Sequence, residues 1–276
     1  MHEPALPGFV DADPVARFYD DLAGFYHLLF DDWDAAVMRQ AKSVDALLTM
    51  LAGSGRKRIL DAACGIGTQA IGLALLGHDV RGTDLSGAAV MRARREAARL
   101  GATLKISVAD MRSLSGYVAG PFDVVCALDN ALPHLMTDEE LTAALRESAA
   151  VLAPGGWFVA SIRDHDRLIA ERPRTTPLRL IDEPGGYRAL FQVWDWWPDG
   201  SGYRLHQHII QWRDGASQAH VFESEYRALT RAAVERGLAA AGFTEWRWLE
   251  AGDERFFQPV VAARVGSSTG AGSSIR

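Results

Sequence analysis

Residues 59–70 read ILDAACGIGTQA, a short apolar run that ends in a glycine turn. The segment KRILDA (57–62) has the composition of a buried strand, and 69–76 that of a helix behind the turn. Glycine at Gly65 and Gly67 lets the backbone approach a ligand closely and adopt positive φ. The helix that follows points its free N–H groups and positive end at the same place. Taken alone, the stretch fits three readings: a dinucleotide loop, a seat for the amino-acid end of a methyl donor, or a tight turn without ligand.

The strand–helix pattern repeats downstream. HDVRGTD (78–84), TLKISVAD (103–110), FDVVCAL (122–128) and GWFVASI (156–162) read as further strands. Helices are expected at 86–100, capped by Ser86, and at 138–152, capped by Thr137 and closed by PGG. Upstream, 14–53 carries two helices. Val44, Leu47, Leu48 and Leu51 form an apolar stripe on the second, which Asp32 or Asp34 can cap. The alternation stops after Arg163, and 164–186 reads as a connection. Three β-like runs follow at 187–197, 202–212 and 217–229, separated by the turn signals PDGS and RDGA. A helix at 230–241, stopped by Gly242, and two strands at 243–250 and 256–265 resume the first pattern.

The expected fold is therefore α/β, a Rossmann-like seven-stranded, mostly parallel sheet with helices on both faces. Residues 1–55 form an N-terminal helical cap. Residues 56–163 and 229–266 form the main domain, 164–228 an inserted antiparallel β lid, and 267–276 a disordered tail.

Composition narrows the partners. The chain has 276 residues, 48% hydrophobic and 23% charged, with a net charge of -6. That balance is globular and does not favour nucleic acid. Arg92, Arg94, Arg95 and Arg99 alternate with alanines and read as the solvated face of a helix. The two cysteines, Cys64 and Cys126, sit in apolar context, which fits a reducing cytoplasm rather than a disulfide framework. No basic-then-apolar leader opens the chain, and no apolar run approaches the ~18 residues that span a membrane. A cytoplasmic protein without a membrane partner is expected.

Three acids sort the readings of the glycine loop. Asp84 ends the second strand, where a carboxylate accepts from ribose hydroxyls; its alternative is a helix cap, for which Ser86 is better placed. Asp61 lies four residues before Gly65. An acid there repels a pyrophosphate and suits a ligand with a positive amino group. S-adenosylmethionine has an ammonium, a sulfonium and a ribose, and no phosphate. Asp110 ends the third strand, where it can accept from an adenine amino group with Met111 against the ring; the alternative is a solvent-facing cap.

The set ILDAACGIGT, GTDLS, VADMRSL, FDVVCALDNALPHL and VLAPGGWFV, in this order, resembles the class I S-adenosylmethionine-dependent methyltransferases over 57–163 and 229–266. The loop ALDNALPHL, the segment SIRDHD and the position of the insert resemble the glycine N-methyltransferase group and related small-molecule N-methyltransferases. The resemblance implies S-adenosylmethionine as cofactor. Ala63, Gly65 and Gly67 would pack on its methionine part, Asp84 and Leu85 on the ribose, and Asp110 and Met111 on the adenine. Leu128 would lie beside the sulfonium, with Arg39 and His134 at the cofactor's carboxylate. Arg163 would bind a substrate carboxylate. Ala131 replaces an expected serine, and the lid is rich in tryptophan, so glycine is not implied as the acceptor.

Methyl transfer from a sulfonium is an in-line displacement, served by alignment and exclusion of water. The expected partner is a small-molecule methyl acceptor, with self-association left open. Arg163, at the end of the fifth strand, can grip an anionic group or pair with Asp164 or Asp166. Asn130 can orient the acceptor or bond its own loop. Tyr19 and Tyr26, seven apart, are expected on one face of the first helix, facing the sulfonium or the core. Tyr226 can reach back to the substrate. Gln192, Trp194 and Trp196 share one face of a lid strand, as core, interface or pocket wall. His206 and His208 share a face without a third ligand nearby, and no metal is expected. N-methylation leads; the alternatives are O- or C-methylation with His134 as base, an NAD(P)-dependent oxidoreductase, and a non-catalytic nucleoside binder.

Overall fold

The computed structural model describes residues 13–252 and 256–266; the tail 267–276, expected to be disordered, lies outside the described residues. Helix α1 (Pro14–Leu22) starts behind Asp13, whose side chain accepts the Val15 and Ala16 N–H groups, and Pro14 stands where no helical donor is lost. A 3-10 turn, Tyr26–Leu29, separates it from α2 (Trp33–Ala52). The turn breaks helical register after Leu22, so Tyr19 and Tyr26 do not share one helix face as expected. Asp32 caps α2 through the Ala35 N–H. Val44 and Leu48 of the expected stripe are buried, and Leu47 and Leu51 pack half-buried on the same core.

The strand–helix alternation follows: β1 (Arg58–Asp61), α3 (Thr68–Leu75), β2 (Asp79–Asp84), α4 (Gly87–Leu100), β3 (Lys105–Val108), β4 (Phe122–Ala127), α5 (Asp138–Val151) and β5 (Leu152–Ser161). The chain then forms α6 (His165–Glu171), four strands β6 (Arg179–Glu183), β7 (Gly186–Trp196), β8 (Gly202–Arg213) and β9 (Ala216–Arg227), helix α7 (Arg231–Ala240), and the strands β10 (Phe243–Leu249) and β11 (Val260–Val265). The main sheet has seven strands in the order β10-β11-β5-β4-β1-β2-β3. Only β11 runs against its neighbours, pairing antiparallel with both β5 and β10. This is the expected architecture.

One apolar core lies on each face of this sheet. Residues of α2, α3 and α4 fill the first, and residues of α5 and α7 the second. Helices α2 and α3 approach so closely that a Cβ at Gly72 would stand 2.5 Å from the Val37 carbonyl oxygen. Glycine is the residue that permits this crossing.

The region 164–186 departs from expectation. It is not a plain connection but contains α6, capped by Asp164, and the edge strand β6. The fifth strand also begins earlier than expected. β5 starts at Leu152, before Pro154-Gly155-Gly156, and its register on β4 shifts between Phe122 and Val124.

The second sheet, β6-β7-β8-β9, is antiparallel throughout. Asp214 and Gly215, at φ +51° and +81°, form the two-residue turn between β8 and β9 that the RDGA signal announces. Its inner face carries two apolar clusters. Leu190, Ile209 and Phe222 receive Phe18 and Leu22 of α1. Trp194, Tyr203, Leu205 and Tyr226 pack with Leu168 of α6, with Trp196 half-buried beside them. Trp194 and Trp196 therefore turn inward, whereas Trp212 is exposed, and α1 is held between this sheet and α4.

Candidate active site

The carboxyl ends of β1 to β4 surround a cavity of about 860 Å3, open mouth included. It lies where the strand order reverses between β1 and β4, the place where open α/β sheets receive ligands.

The floor is the glycine turn. Gly65 has φ +53° and nothing within 4 Å of where a Cβ would stand, so bare backbone faces the cavity. Ala63 lines it too. Gly67 does not: it caps α3 at φ +93°, and a Cβ there would come within 2.6 Å of Ile71 Cδ1. Gly67 seats the start of α3 tightly, against Ile71, instead of lining the cavity. Asp61 is buried under the turn, directly behind Ala62 and Ala63 of the cavity lining rather than on the lining itself. Its Oδ1 accepts the Ala63 N–H at 3.4 Å, and its Oδ2 has no partner. Burial pushes this carboxyl up to about 7.

Asp84 lines the cavity from the end of β2. Its Oδ2 accepts the Gly65 N–H at 2.8 Å and its Oδ1 the Ser86 N–H at 2.9 Å. Burial raises its carboxyl, and these backbone donors act against that rise. The cap of α4 is Ser86, whose Oγ accepts from Ala89. Leu85 lines the same wall.

Asp110 and Met111 form the next wall. Asp110 also fulfils its alternative reading, because it caps the following turn through the Arg112 N–H and pairs with the Arg112 guanidinium at 2.7 Å. Arg112 reaches Glu140 at 2.6 Å and Asp13 at 3.3 Å as well. This arginine lines the cavity and was not singled out by its position after Asp110 in the sequence.

Leu128, Asp129, His134, Tyr19 and Tyr26 close the far side. The Tyr19 hydroxyl lies 2.9 Å from His134 Nε2, and the Tyr26 hydroxyl donates to Asp129 Oδ2 at 3.2 Å. Burial, seconded by the Arg163 charge, lowers His134 to about 3. The ring is neutral at physiological pH and a weak base. Asp129 and Asn130 both adopt left-handed backbone, φ +55° and +65°. Asp and Asn are among the non-glycine residues that most readily adopt this backbone, and two in succession make a sharp turn after β4. Asp129 was missed by sequence reasoning, though a signal existed: like Asp61, Asp84 and Asp110, it is an acid at the carboxyl end of a parallel strand.

Asn130 and Arg163 stand behind this wall rather than on the cavity lining. Asn130 Oδ1 accepts the Arg163 backbone N–H at 2.9 Å, which ties the β4 loop to the end of β5. Its Nδ2 is buried without a partner. The Arg163 guanidinium donates to the Tyr203 hydroxyl at 3.1 Å and to Gln192 Oε1 at 3.2 Å. It faces the rings of Trp194 at 4.9 Å and Tyr226 at 5.7 Å. The expected pairing with Asp164 or Asp166 is not made; Arg163 has no ion-pair partner among the described residues. Tyr226, buried with its ring centroid 4.2 Å from that of His134 and the two planes tilted by 43°, is held up to about 12, with burial as the largest cause.

Arg39 is a correction. It is exposed on the outer side of α2 and does not line the cavity. The next residue, Gln40, faces inward and accepts from Gln69 at 2.7 Å, and Gln69 reaches the cavity. Among the described residues no group of three or more His, Cys, Asp or Glu side chains is arranged to hold a metal.

Residues 59–156 match the family model of a methyltransferase domain. A glycine/sarcosine N-methyltransferase of Parasynechococcus marenigrum is 34% identical over 142 residues, 50% of this chain and 50% of that protein. One of Aphanothece halophytica is 30% identical over 144 residues, 51% of this chain and 54% of that protein. The chain spans about half the length of the curated relatives it matches. Among solved structures, Streptomyces venezuelae DesVI superposes with a TM-score of 0.72 at 22% identity, covering 90% of this chain and 97% of that one. The S-adenosylmethionine-bound CalS10, an amino pentose methyltransferase from Micromonospora echinaspora, superposes with a TM-score of 0.70 at 21% identity, covering 95% and 99%. At such identities the likeness is one of fold.

Proposed function

We propose, from the match of residues 59–156 to a methyltransferase-domain model and from the fold shared with solved methyltransferases, that the chain methylates a nitrogen of a small molecule with S-adenosylmethionine as donor. The observation that carries the donor reading is the pair Asp61 and Asp84. Both are acids at the glycine turn, and neither has an ion-pair partner among the described residues. An orphaned, buried Asp61 Oδ2 suits an ammonium, and Asp84 suits ribose hydroxyls. A pyrophosphate has no cation to meet it at this turn, which disfavours the dinucleotide reading.

S-adenosylmethionine supplies a methyl group already activated on a sulfonium. The residues of this chain then have to bind, orient and keep water out. Gly65, Asp61 and Asp84 hold the amino-acid and ribose parts; Met111 with Asp110 borders the base. Tyr19 and Tyr26 cover the reacting end. An amine acceptor needs no strong base, in keeping with a His134 that stays neutral and weakly basic. An O- or C-acceptor would need such a base, so nitrogen is favoured. The unmatched charge of Arg163 supports an anionic group on the acceptor. The names of the glycine/sarcosine relatives agree with a nitrogen acceptor.

The test is thermal stabilisation with S-adenosylmethionine, S-adenosylhomocysteine and NAD, followed by incubation of a cell extract with labelled donor. Stabilisation by the two adenosyl compounds, and label in a small molecule, are expected. Stabilisation by NAD alone sinks the reading.

A further inference from the structure

We propose that Asp129 and Tyr26 form the seat of the acceptor's amino group, so that the substrate presents a primary or secondary amine to the Asp129 carboxylate. This deepens the methyltransferase reading and rests on it.

The seat is built. The left-handed turn at Asp129 and Asn130 is braced by the Asp129 N–H on Ser161 Oγ at 2.8 Å and the Asn130 N–H on Ser161 O at 3.1 Å. Ser161 Oγ in turn donates to Gln258 at 2.8 Å. The turn is therefore held by the end of β5 and delivers the Asp129 side chain to the cavity. A carboxylate offers about four lone-pair sites. The structure fills one of them, with the Tyr26 hydroxyl at a long 3.2 Å. No cation lies within ion-pairing distance among the described residues. Arg163, the charge that acts on it, is committed to Tyr203, Gln192 and two rings.

Position agrees with charge. A donor with its ribose at Asp84 and its amino-acid part at Gly65 has its sulfur between the two. The wall left for its methyl group is the end of β4, Leu128 and Asp129. An acceptor N–H bonded to Asp129 keeps the nitrogen beside that methyl and turns its lone pair from the carboxylate. The lone pair forms the N–C bond as the C–S bond breaks, with the C–S electron pair remaining on sulfur. The nitrogen becomes cationic, and Asp129 faces the new charge. The product proton leaves later to solvent. Arg163, one strand over and behind this wall, has no ion-pair partner among the described residues, which is in keeping with an amine that also carries an anion.

The test does not require the acceptor. Sinefungin is a donor analogue with C–NH3+ in place of S+–CH3, so its amine stands where the methyl group is passed; S-adenosylhomocysteine lacks that group. Calorimetry on the wild type is expected to show sinefungin preferred by about tenfold, as for a charge-assisted hydrogen bond. Asp129→Asn should bring the two to parity without changing S-adenosylhomocysteine affinity. Asparagine tolerates the left-handed backbone, and the glycine of Asp129→Gly adopts it freely, so a folded variant is in hand either way. Equal affinity in the wild type, or a preference that survives both substitutions, overturns the amine seat while leaving the donor site standing. Failure of both nucleosides to bind the wild type overturns the donor reading and the seat with it.

Discussion

Asp84 Oδ2 accepts the Gly65 backbone N–H at 2.8 Å. The acid at the end of β2 and the turn at the end of β1 are thus one unit, and the carboxylate that faces the cavity also sets the shape of the loop beneath it. Asp84→Ala removes two hydrogen bonds to ribose and frees the Gly65 and Ser86 donors. Hydrogen bonds to charged groups contribute about 1.5–3 kcal/mol each, so S-adenosylhomocysteine affinity should fall by roughly a hundredfold or more. Calorimetric titration reads this directly. An affinity within threefold of the wild type removes Asp84 from the donor site.

Gly67 makes a different prediction from its neighbour. Gly67→Ala puts a Cβ at φ +93° and 2.6 Å from Ile71 Cδ1, so α3 must shift. The cost is about 1–3 kcal/mol of global stability. A Cβ at Gly65 meets open space, though its φ of +53° adds strain of its own. Gly65→Ala should therefore lower donor affinity more than Gly67→Ala does, and Gly67→Ala should lower the urea midpoint more. The two measurements on the two variants separate the roles; the reverse ranking overturns the assignment.

The contrast also shows what the sequence conveys. The seven strands are legible because each is a short apolar run ended by a turn, and the hairpins because Asp-Gly at 214–215 favours positive φ twice. Strand β6 is hidden, since it is an edge strand with mostly exposed side chains and little alternation to read. Helix α6 has only 7 residues and an Arg- and Pro-rich neighbourhood. Tyr19 and Tyr26 are brought to one cavity by a 3-10 turn, which a seven-residue spacing misreads as a helix face. Arg39 fails by one position: the buried stripe of α2 passes through Gln40. Asp129 obeys the same rule as Asp61, Asp84 and Asp110, an acid at the carboxyl end of a parallel strand, but its place on the cavity depends on a left-handed turn that spacing alone does not show.

Asp61 predicts a pH dependence. Its folded-state carboxyl is raised to about 7 from the ordinary value of 3.8, with burial as the first cause and Asp84 adding to it. The folded protein thus holds a proton that the unfolded chain has released between those values. The resulting stability is fully present below about pH 4 and is lost as pH rises through about 7. A donor ammonium pairs with the charged form, so binding must expel that proton below pH 7. Affinity for S-adenosylhomocysteine should rise by up to about tenfold per pH unit from 5.5 and level off above 7. Asp61→Asn should bind more weakly, with a flatter profile. A wild-type profile as flat as that of the variant removes Asp61 from the ammonium.

Arg163 and the lid carry the last prediction. The Tyr203 hydroxyl accepts from Arg163 and lies 3.3 Å from His165 Nε2, so one buried lid residue joins the guanidinium to α6. Arg163→Met keeps the aliphatic packing against Trp194 and deletes the charge. Donor binding uses other walls, so S-adenosylhomocysteine affinity should stay within about twofold. Transfer of labelled methyl to the acceptor in extract should fall by at least tenfold, because a bidentate guanidinium–anion contact is worth roughly 1.5–3 kcal/mol. Tyr203→Phe separates positioning from contact: it leaves the charge and removes the hydroxyl that aims it. Its transfer rate should lie between wild type and Arg163→Met. Labelling at the wild-type rate in Arg163→Met moves the anion site elsewhere, whereas equal loss of donor affinity and transfer makes Arg163 a structural support of the whole cavity.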